Sequence, residues 1–160
     1  MAPNINIFDS YPPAWVNPVT MRASAALPAA GAWDAAPTEQ NVAGASHVML
    51  SFTYTRGGAA GAFDFQIQPS IYSAAAVAPA GAGEWADESL YAAGAVFAGL
   101  DSQSRVQAEY QTFQPTGAAI ETFIYGPVAL VGVVERIRIP CRESGNVGAP
   151  GLLQVTAEFY

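Results

Sequence analysis

The sequence predicts an all-β protein: an antiparallel β-sandwich of jelly-roll or Ig-like topology with an extended N-terminal arm. Three observations favour this fold class. From Ser46 onward, apolar residues recur with period two and almost nowhere with the period of 3.6 that a helix requires. Segments rich in glycine and proline separate the alternating runs. With 160 residues, the chain can bury a core without support from a metal or a disulfide.

The N-terminal segment differs from the rest because prolines interrupt every candidate element in its first 45 residues. Only Val19 to Leu27 could form a strand there. Before it lie five large side chains that are too apolar to remain in water: Ile5, Ile7, Phe8, Tyr11 and Trp15. We therefore divide the chain into an arm, residues 1–18, and a single β-sandwich domain, residues 19–160, and expect the arm to contact other protein.

The first clear pair of strands spans residues 48–67. Val48 to Tyr54 places every second residue on one apolar face, and Phe63 to Ile67 alternates in the same way. The intervening residues 56–61 include three glycines, which readily adopt the positive φ angles of a hairpin loop. The pattern predicts a β-hairpin.

The middle of the chain gives weaker signals. Residues 73–83 carry no charge and predict a loop or an extended connection, whereas residues 84–99 fit either a short helix or an irregular strand. Alternation returns over residues 104–113, and a further strand is predicted over residues 120–125 after a proline-containing turn.

In the last third, residues 133–141 and 152–159 both alternate. Ile137 and Ile139 share one face of the first segment, and Arg136 and Arg138 share the other. The loop between the two segments is dense in turn formers, so the pattern predicts a second hairpin.

Charge excludes several classes of function. Six arginines and no lysine stand against 13 acidic residues, which gives a net charge of −7. This balance cannot supply the basic surface that nucleic acid requires, nor an attraction to anionic membranes. No apolar run approaches the roughly 20 residues of a spanning helix. The N-terminus lacks the features of a signal peptide, and one cysteine cannot form an internal disulfide, so we expect synthesis in a cytosol.

The residues of catalysis are scarce. His47 is the only histidine, and Cys141 the only cysteine; a surface imidazole and a core thiol are simpler interpretations than a catalytic pair. Glu84, Asp87 and Glu88 form the densest acidic group, which we interpret as an acidic loop rather than as the carboxylate pair of a glycosidase. We therefore predict no enzyme, no cofactor and no metal.

The glycine-rich loop at residues 57–61 follows a strand, as a phosphate-binding loop would. The chain has no lysine, and the next segment is predicted as a strand rather than a helix, so a P-loop is excluded.

Several aromatic side chains lie outside the alternating strands, among them Trp33, Trp85 and Tyr91. They could cap the ends of the sandwich or lie in an interface, since interfaces are enriched in aromatic residues and depleted in lysine. A surface this poor in charge has little to keep it apart from its neighbours, which favours burial against other protein.

Three parts of the sequence resemble small virion proteins of tailed bacteriophages of the capsid decoration (cement) type. They are residues 29–35, the segment 50–67 with its Tyr54-Thr55-Arg56-Gly57-Gly58 turn, and residues 134–139 with Glu143-Ser144-Gly145 and the Pro150-Gly151 turn. The resemblance implies a β-sandwich that binds the major capsid protein on the outside of the shell and stabilises the lattice. It further implies a homotrimer on the virion surface, made in the host cytoplasm. The arm, with Ile5, Ile7, Phe8, Tyr11 and Trp15, would then contact the capsid or a neighbouring subunit.

Two alternatives remain open. One is a carbohydrate-binding or receptor-binding module of a virion, with Trp33, Trp85 and Tyr91 as stacking platforms for a ligand. The other is a hydrolase that uses Glu84, Asp87 or Glu88.

Overall fold

The computed structural model describes residues 18–70, 110–116, 119–130 and 134–160. Within these ranges the regular structure is β, apart from one 3₁₀ turn at Ala29–Gly31. The segments are β1 (Val19–Ala26), β2 (Glu39–Asn41), β3 (His47–Thr55), β4 (Phe63–Phe65), β5 (Gln68–Ser70), β6 (Gln111–Phe113), β7 (Ile120–Ala129), β8 (Arg136–Arg138), β9 (Cys141–Glu143) and β10 (Leu152–Phe159). The predicted all-β class is confirmed.

The first sheet has the strand order β1-β10-β3-β7, and every pair in it is antiparallel. Its two central strands follow the predicted alternation. Val48, Leu50, Phe52 and Tyr54 of β3 are fully buried, while the residues between them are half-buried on the opposite face. One face of this sheet therefore faces the core, and the other faces outward.

The second sheet consists of short segments that join into longer strands. β4 and β5 are separated only by Gln66 and Ile67, and β8 and β9 only by Ile139 and Pro140. β4 pairs with β9, β5 pairs with β8, and the Gln66 N–H donates to the Pro140 carbonyl (3.0 Å) where both strands are interrupted. The resulting order is β2, then β8 with β9, then β4 with β5, then β6.

The core lies between the two sheets. The Phe52 ring of the first sheet packs against Phe63 and Phe65 of the second, with centroids 5.4 and 4.5 Å apart. Phe113 and Phe123, from β6 and β7, stack 4.8 Å apart at the same level. These contacts show that the inner faces of the two sheets meet as a sandwich.

The strand order decides between the two predicted topologies. Because β4 with β5 and β8 with β9 each act as one strand, the described residues contribute eight strands to the sandwich. The first sheet contains the first, eighth, third and sixth of them, and the second sheet contains the second, seventh, fourth and fifth. This is the arrangement of a jelly roll, whereas an Ig-like sandwich places its first two strands in the same sheet.

Both predicted hairpins are wrong. β3 pairs with β10 and β7, whereas β4 pairs with β6 and β9, so the glycine loop after β3 carries the chain from one sheet to the other. The loop between β9 and β10 does the same. Period-two alternation shows which face of a strand is buried but not which strand lies beside it. It is therefore the same for a hairpin and for a connection that crosses between the sheets.

Some of the other predicted strands are confirmed, and others lie outside the described residues. β1 matches the strand predicted at residues 19–27, β7 extends the strand predicted at residues 120–125, and the short polar β2 was not predicted. Residues 1–17 of the arm and the segments 73–83 and 84–99 lie outside the described residues, as does most of the strand predicted at residues 104–113.

Candidate functional site

A polar row crosses the outer face of the second sheet. Thr112, Asp64 and Arg142 lie directly opposite one another on β6, β4 and β9. The Thr112 hydroxyl donates to Asp64 Oδ1 (2.7 Å), and Arg142 Nε donates to Asp64 Oδ2 (2.8 Å). Asp64 is almost fully buried although it points away from the core, so these two bonds hold a carboxylate that water does not reach.

Two aromatic rings contact Arg142. Its guanidinium carbon lies 4.5 Å from the ring centroid of Trp33 and 4.5 Å from that of Tyr110. The two rings meet edge to face, with centroids 5.9 Å apart. A guanidinium over an aromatic face is favourable by about 0.5–1 kcal/mol at an exposed site. Arg142 is therefore fixed on one side by a carboxylate and on the other by two rings.

A cleft of about 520 Å³ opens beside this arginine. Polar side chains, including Arg142, Gln114 and Ser144, line one part of it. Small or apolar residues line the rest: Gly31, Ala60, Ala62, Gly145 and Val147. We call this the Arg142 cleft; its volume falls in the range typical of small-molecule sites.

Glu143 forms part of the wall of the Arg142 cleft and is fully buried. Its carboxylate accepts hydrogen bonds from the Tyr54 hydroxyl (2.7 Å) and from the N–H groups of Ala62 (3.1 Å), Asn146 (2.9 Å) and Gly151 (2.9 Å). Desolvation by burial alone would raise the pKa of Glu143, but these hydrogen bonds to the charged form outweigh it, and the pKa is lowered. The carboxylate is fully satisfied and ties the two connecting loops together.

The outer face of the first sheet is the second feature that could contact a partner. Three of its strands present ten outward side chains without one charge: Met49, Ser51, Thr53, Thr55, Ile120, Thr122, Ile124, Leu152, Gln154 and Thr156. Ile120 is 59% exposed, Ile124 67% and Leu152 46%. Glu158, the next outward residue along β10, is charged. We call this set the uncharged face.

The two candidate catalytic residues, His47 and Cys141, lie in different environments. His47 begins β3 on the surface, with Nδ1 2.9 Å from the Ser46 hydroxyl oxygen. Cys141 is buried in the core, and its pKa is raised well above the ordinary value by desolvation, then by the nearby charge of Asp34, with Arg22 opposing. A buried thiol of raised pKa is a poor nucleophile.

Of the predicted ligand-stacking residues, the structure describes Trp33 only. Trp33 is half-buried beside the Arg142 cleft and also lines a smaller recess of about 180 Å³. Trp85 and Tyr91 lie outside the described residues, as do Glu84, Asp87 and Glu88. The predicted contact residues of the arm, Ile5, Ile7, Phe8, Tyr11 and Trp15, lie there too.

Within the described ranges, no group of three or more histidine, cysteine or acidic side chains is placed to hold a metal ion. In the same part of the chain, no helix is long and apolar enough to cross a membrane.

The chain folds as a jelly roll, and its described residues form two candidate contact surfaces, the Arg142 cleft and the uncharged face. The chain matches no protein-family model, no curated protein and no solved structure.

Proposed function

We propose that this protein is a structural protein of a tailed-phage virion, which binds the outside of the capsid lattice and stabilises it. The observation that carries the proposal is the uncharged face. Antiparallel sheets that face water normally carry polar and charged residues, and a typical protein surface is about a quarter to a third charged. Ten neighbouring side chains without a charge are better suited to contact with protein than with water.

The exposed apolar side chains of the uncharged face would supply the binding energy. Ile120 and Ile124 lie four residues apart on the same face of β7. Leu152 lies in the same cross-strand row as Ile120, with Thr55 between them. Burying the exposed part of each contributes about 1 kcal/mol. Such a contact is weak for one copy, but it is repeated at every equivalent position of a shell.

Two further properties support the proposal. The jelly roll is a fold used by viral capsid domains, although a fold by itself does not define a function. A net charge of −7 would also keep the protein away from packaged DNA. Its partners would be the major capsid protein and, in a homotrimer, two further copies of this chain.

Co-sedimentation tests the proposal directly. Purified protein is mixed with capsid shells assembled from the major capsid protein of the same phage, and the pelleted fraction is measured. The wild type should pellet with the shells. Ile124→Asp buries a charge in the contact at a cost of at least about 2 kcal/mol, so its affinity should fall about 30-fold. Val147→Asp is the matched control, because Val147 is 43% exposed but lies in a loop away from the uncharged face.

The wild type remaining in the supernatant would refute the proposed function. If Ile124→Asp pelleted as well as Val147→Asp, the shell would bind elsewhere on the molecule. Deletion of residues 1–16 tests the arm in the same assay: attachment should be lost while the sandwich stays folded, and retained binding would refute the role of the arm.

A further inference from the structure

The Arg142 cleft has an unusual balance of hydrogen-bonding groups. Its two carboxylates are already engaged, since Asp64 accepts from Thr112 and Arg142, and Glu143 accepts four hydrogen bonds. In the described part of the chain, no hydrogen bond engages the terminal N–H groups of Arg142, the Gln114 amide or the Ser144 hydroxyl. The cleft therefore offers donors in excess, which suits a ligand rich in acceptors.

The guanidinium of Arg142 is held with its two terminal nitrogens available for a carboxylate. Its Nε–H is used by Asp64, so both terminal nitrogens remain available at the end of the planar fork. A guanidinium binds a carboxylate through two parallel N–H···O bonds, which a lysine cannot reproduce. Because Asp64, Trp33 and Tyr110 already fix this side chain, little conformational entropy remains to be lost on binding.

The rest of the cleft fits a sugar ring better than a bare anion. Tyr110 is 39% exposed, and the exposed residues Ala60 and Val147 add apolar surface against which the C–H face of a pyranose can pack. Gln114 and Ser144 are exposed and can both donate and accept, as pairing with hydroxyl groups requires.

We propose that the Arg142 cleft binds a sugar that carries a carboxylate, a hexuronic acid residue of a polysaccharide. Arg142 binds the carboxylate, Tyr110 packs against the ring, and Gln114 and Ser144 bind hydroxyl groups. This site is on the second sheet and the uncharged face is on the first, so a copy bound to a shell through the latter leaves the cleft open to a glycan.

Binding of two simple sugars tests the proposal. Methyl glucuronide and methyl glucoside differ only in the carboxylate, and each is titrated into the ¹⁵N-labelled full chain while amide chemical shifts are followed. Methyl glucuronide should bind with a Kd of about 1 mM, and methyl glucoside at least about tenfold more weakly. The shifts should centre on Gln114, Ser144 and Arg142. Acetate, which has the carboxylate without the ring, should also bind at least about tenfold more weakly.

Variants separate the site from the fold. Arg142→Lys keeps a cation beside Asp64 but loses the fork, and should weaken binding of methyl glucuronide at least about tenfold. Arg138→Lys is the matched control, because Arg138 also donates its Nε–H to a neighbouring strand, to Gln68 (2.7 Å), but does not line the cleft. Should Arg142→Lys fail to fold, the double variant Gln114→Ala, Ser144→Ala alters two exposed side chains only and should show a similar loss.

Equal affinity for the glucuronide and the glucoside would overturn carboxylate recognition, and equal affinity for acetate would overturn sugar recognition. No shift at about 10 mM methyl glucuronide, ten times the expected Kd, would overturn the site itself. The same conclusion would follow if folded Arg142→Lys, or the double variant, bound as tightly as the wild type.

Discussion

Glu143 shows how much of this structure depends on one side chain. A fully buried carboxylate costs several kcal/mol in desolvation unless hydrogen bonds replace the lost water. Here the Tyr54 hydroxyl of β3 and three backbone N–H groups do so, and the N–H groups come from both loops that cross between the sheets. The loops approach so closely that a Cβ at Gly145 would lie 1.9 Å from the Ala60 carbonyl oxygen. Glu143 therefore holds together one end of the sandwich.

The Tyr54 hydroxyl is the one side-chain donor to Glu143 in the described residues, and its removal isolates a single bond. Tyr54→Phe should lower the free energy of unfolding by about 1.5–3 kcal/mol, the usual value for a hydrogen bond to a charged group. Urea denaturation measures this. Tyr160→Phe is the control, because the Tyr160 hydroxyl makes a similar bond to Glu158 (2.8 Å) on the surface and should change stability by less than about 0.5 kcal/mol. Equal losses in the two variants would contradict the assigned role of Glu143.

Acid should weaken the same end of the sandwich. The pKa of Glu143 is lower in the folded protein than its ordinary value of 4.5, so the unfolded state binds the proton more readily. The stability that this carboxylate contributes is therefore complete above about pH 4.5 and is lost as the pH falls through the folded pKa. Glu143→Gln should be less stable than the wild type at pH 7, and the difference should shrink below pH 4.5. A constant difference across that range would contradict the pKa direction.

Residue roles of this kind were only partly predictable. Trp33 was selected from the sequence because it lies outside the alternating strands, and it does lie beside a cleft. Arg142, Asp64 and Tyr110 were not selected, because each looks like an ordinary outward residue of a strand. Their association depends on the pairing of β4 with β6 and β9, and these strands are far apart in the chain.

At the scale of elements, hydrophobic alternation correctly located β3 and β10, and the strands predicted at residues 19–27 and 120–125 correspond to β1 and to the first part of β7. Alternation did not predict which strands pair, since a loop of seven or eight residues can form a hairpin or can cross to a facing sheet. Here close contacts between the loops favour crossing: a Cβ at Gly57 would lie 1.9 Å from the Ala149 carbonyl oxygen of the other connection. β2 escaped prediction because it has three polar residues and no alternation.

Cross-strand proton contacts test the jelly-roll pairing. Nuclear Overhauser effects between backbone protons should connect β3 to β10, for example Leu50 to Ala157 and Thr53 to Gln154. They should also connect Phe65 of β4 to Cys141 of β9. A ladder of backbone contacts between β3 and β4 would instead support the hairpin predicted from the sequence and would contradict the topology described above.

At the scale of the whole molecule, the charged side chains of the described residues are distributed unevenly between the two sheets. The second sheet carries two ion pairs among its described residues, Arg142 with Asp64 and Arg136 with Glu39. The first sheet presents the uncharged face. The composition predicts contact with other protein, and we propose that this contact occurs at the uncharged face, on the side of the sandwich opposite the Arg142 cleft.

The most direct test of the proposed function is electron cryomicroscopy of particles of the phage to which we propose that this protein belongs. We expect density for an eight-stranded jelly roll on the outside of the capsid, with β10, β3 and β7 turned toward the shell and Ile124 within contact distance of the major capsid protein. The Arg142 cleft should face solvent. A map that showed the protein absent from the shell, or bound with the uncharged face toward solvent, would contradict the central claim.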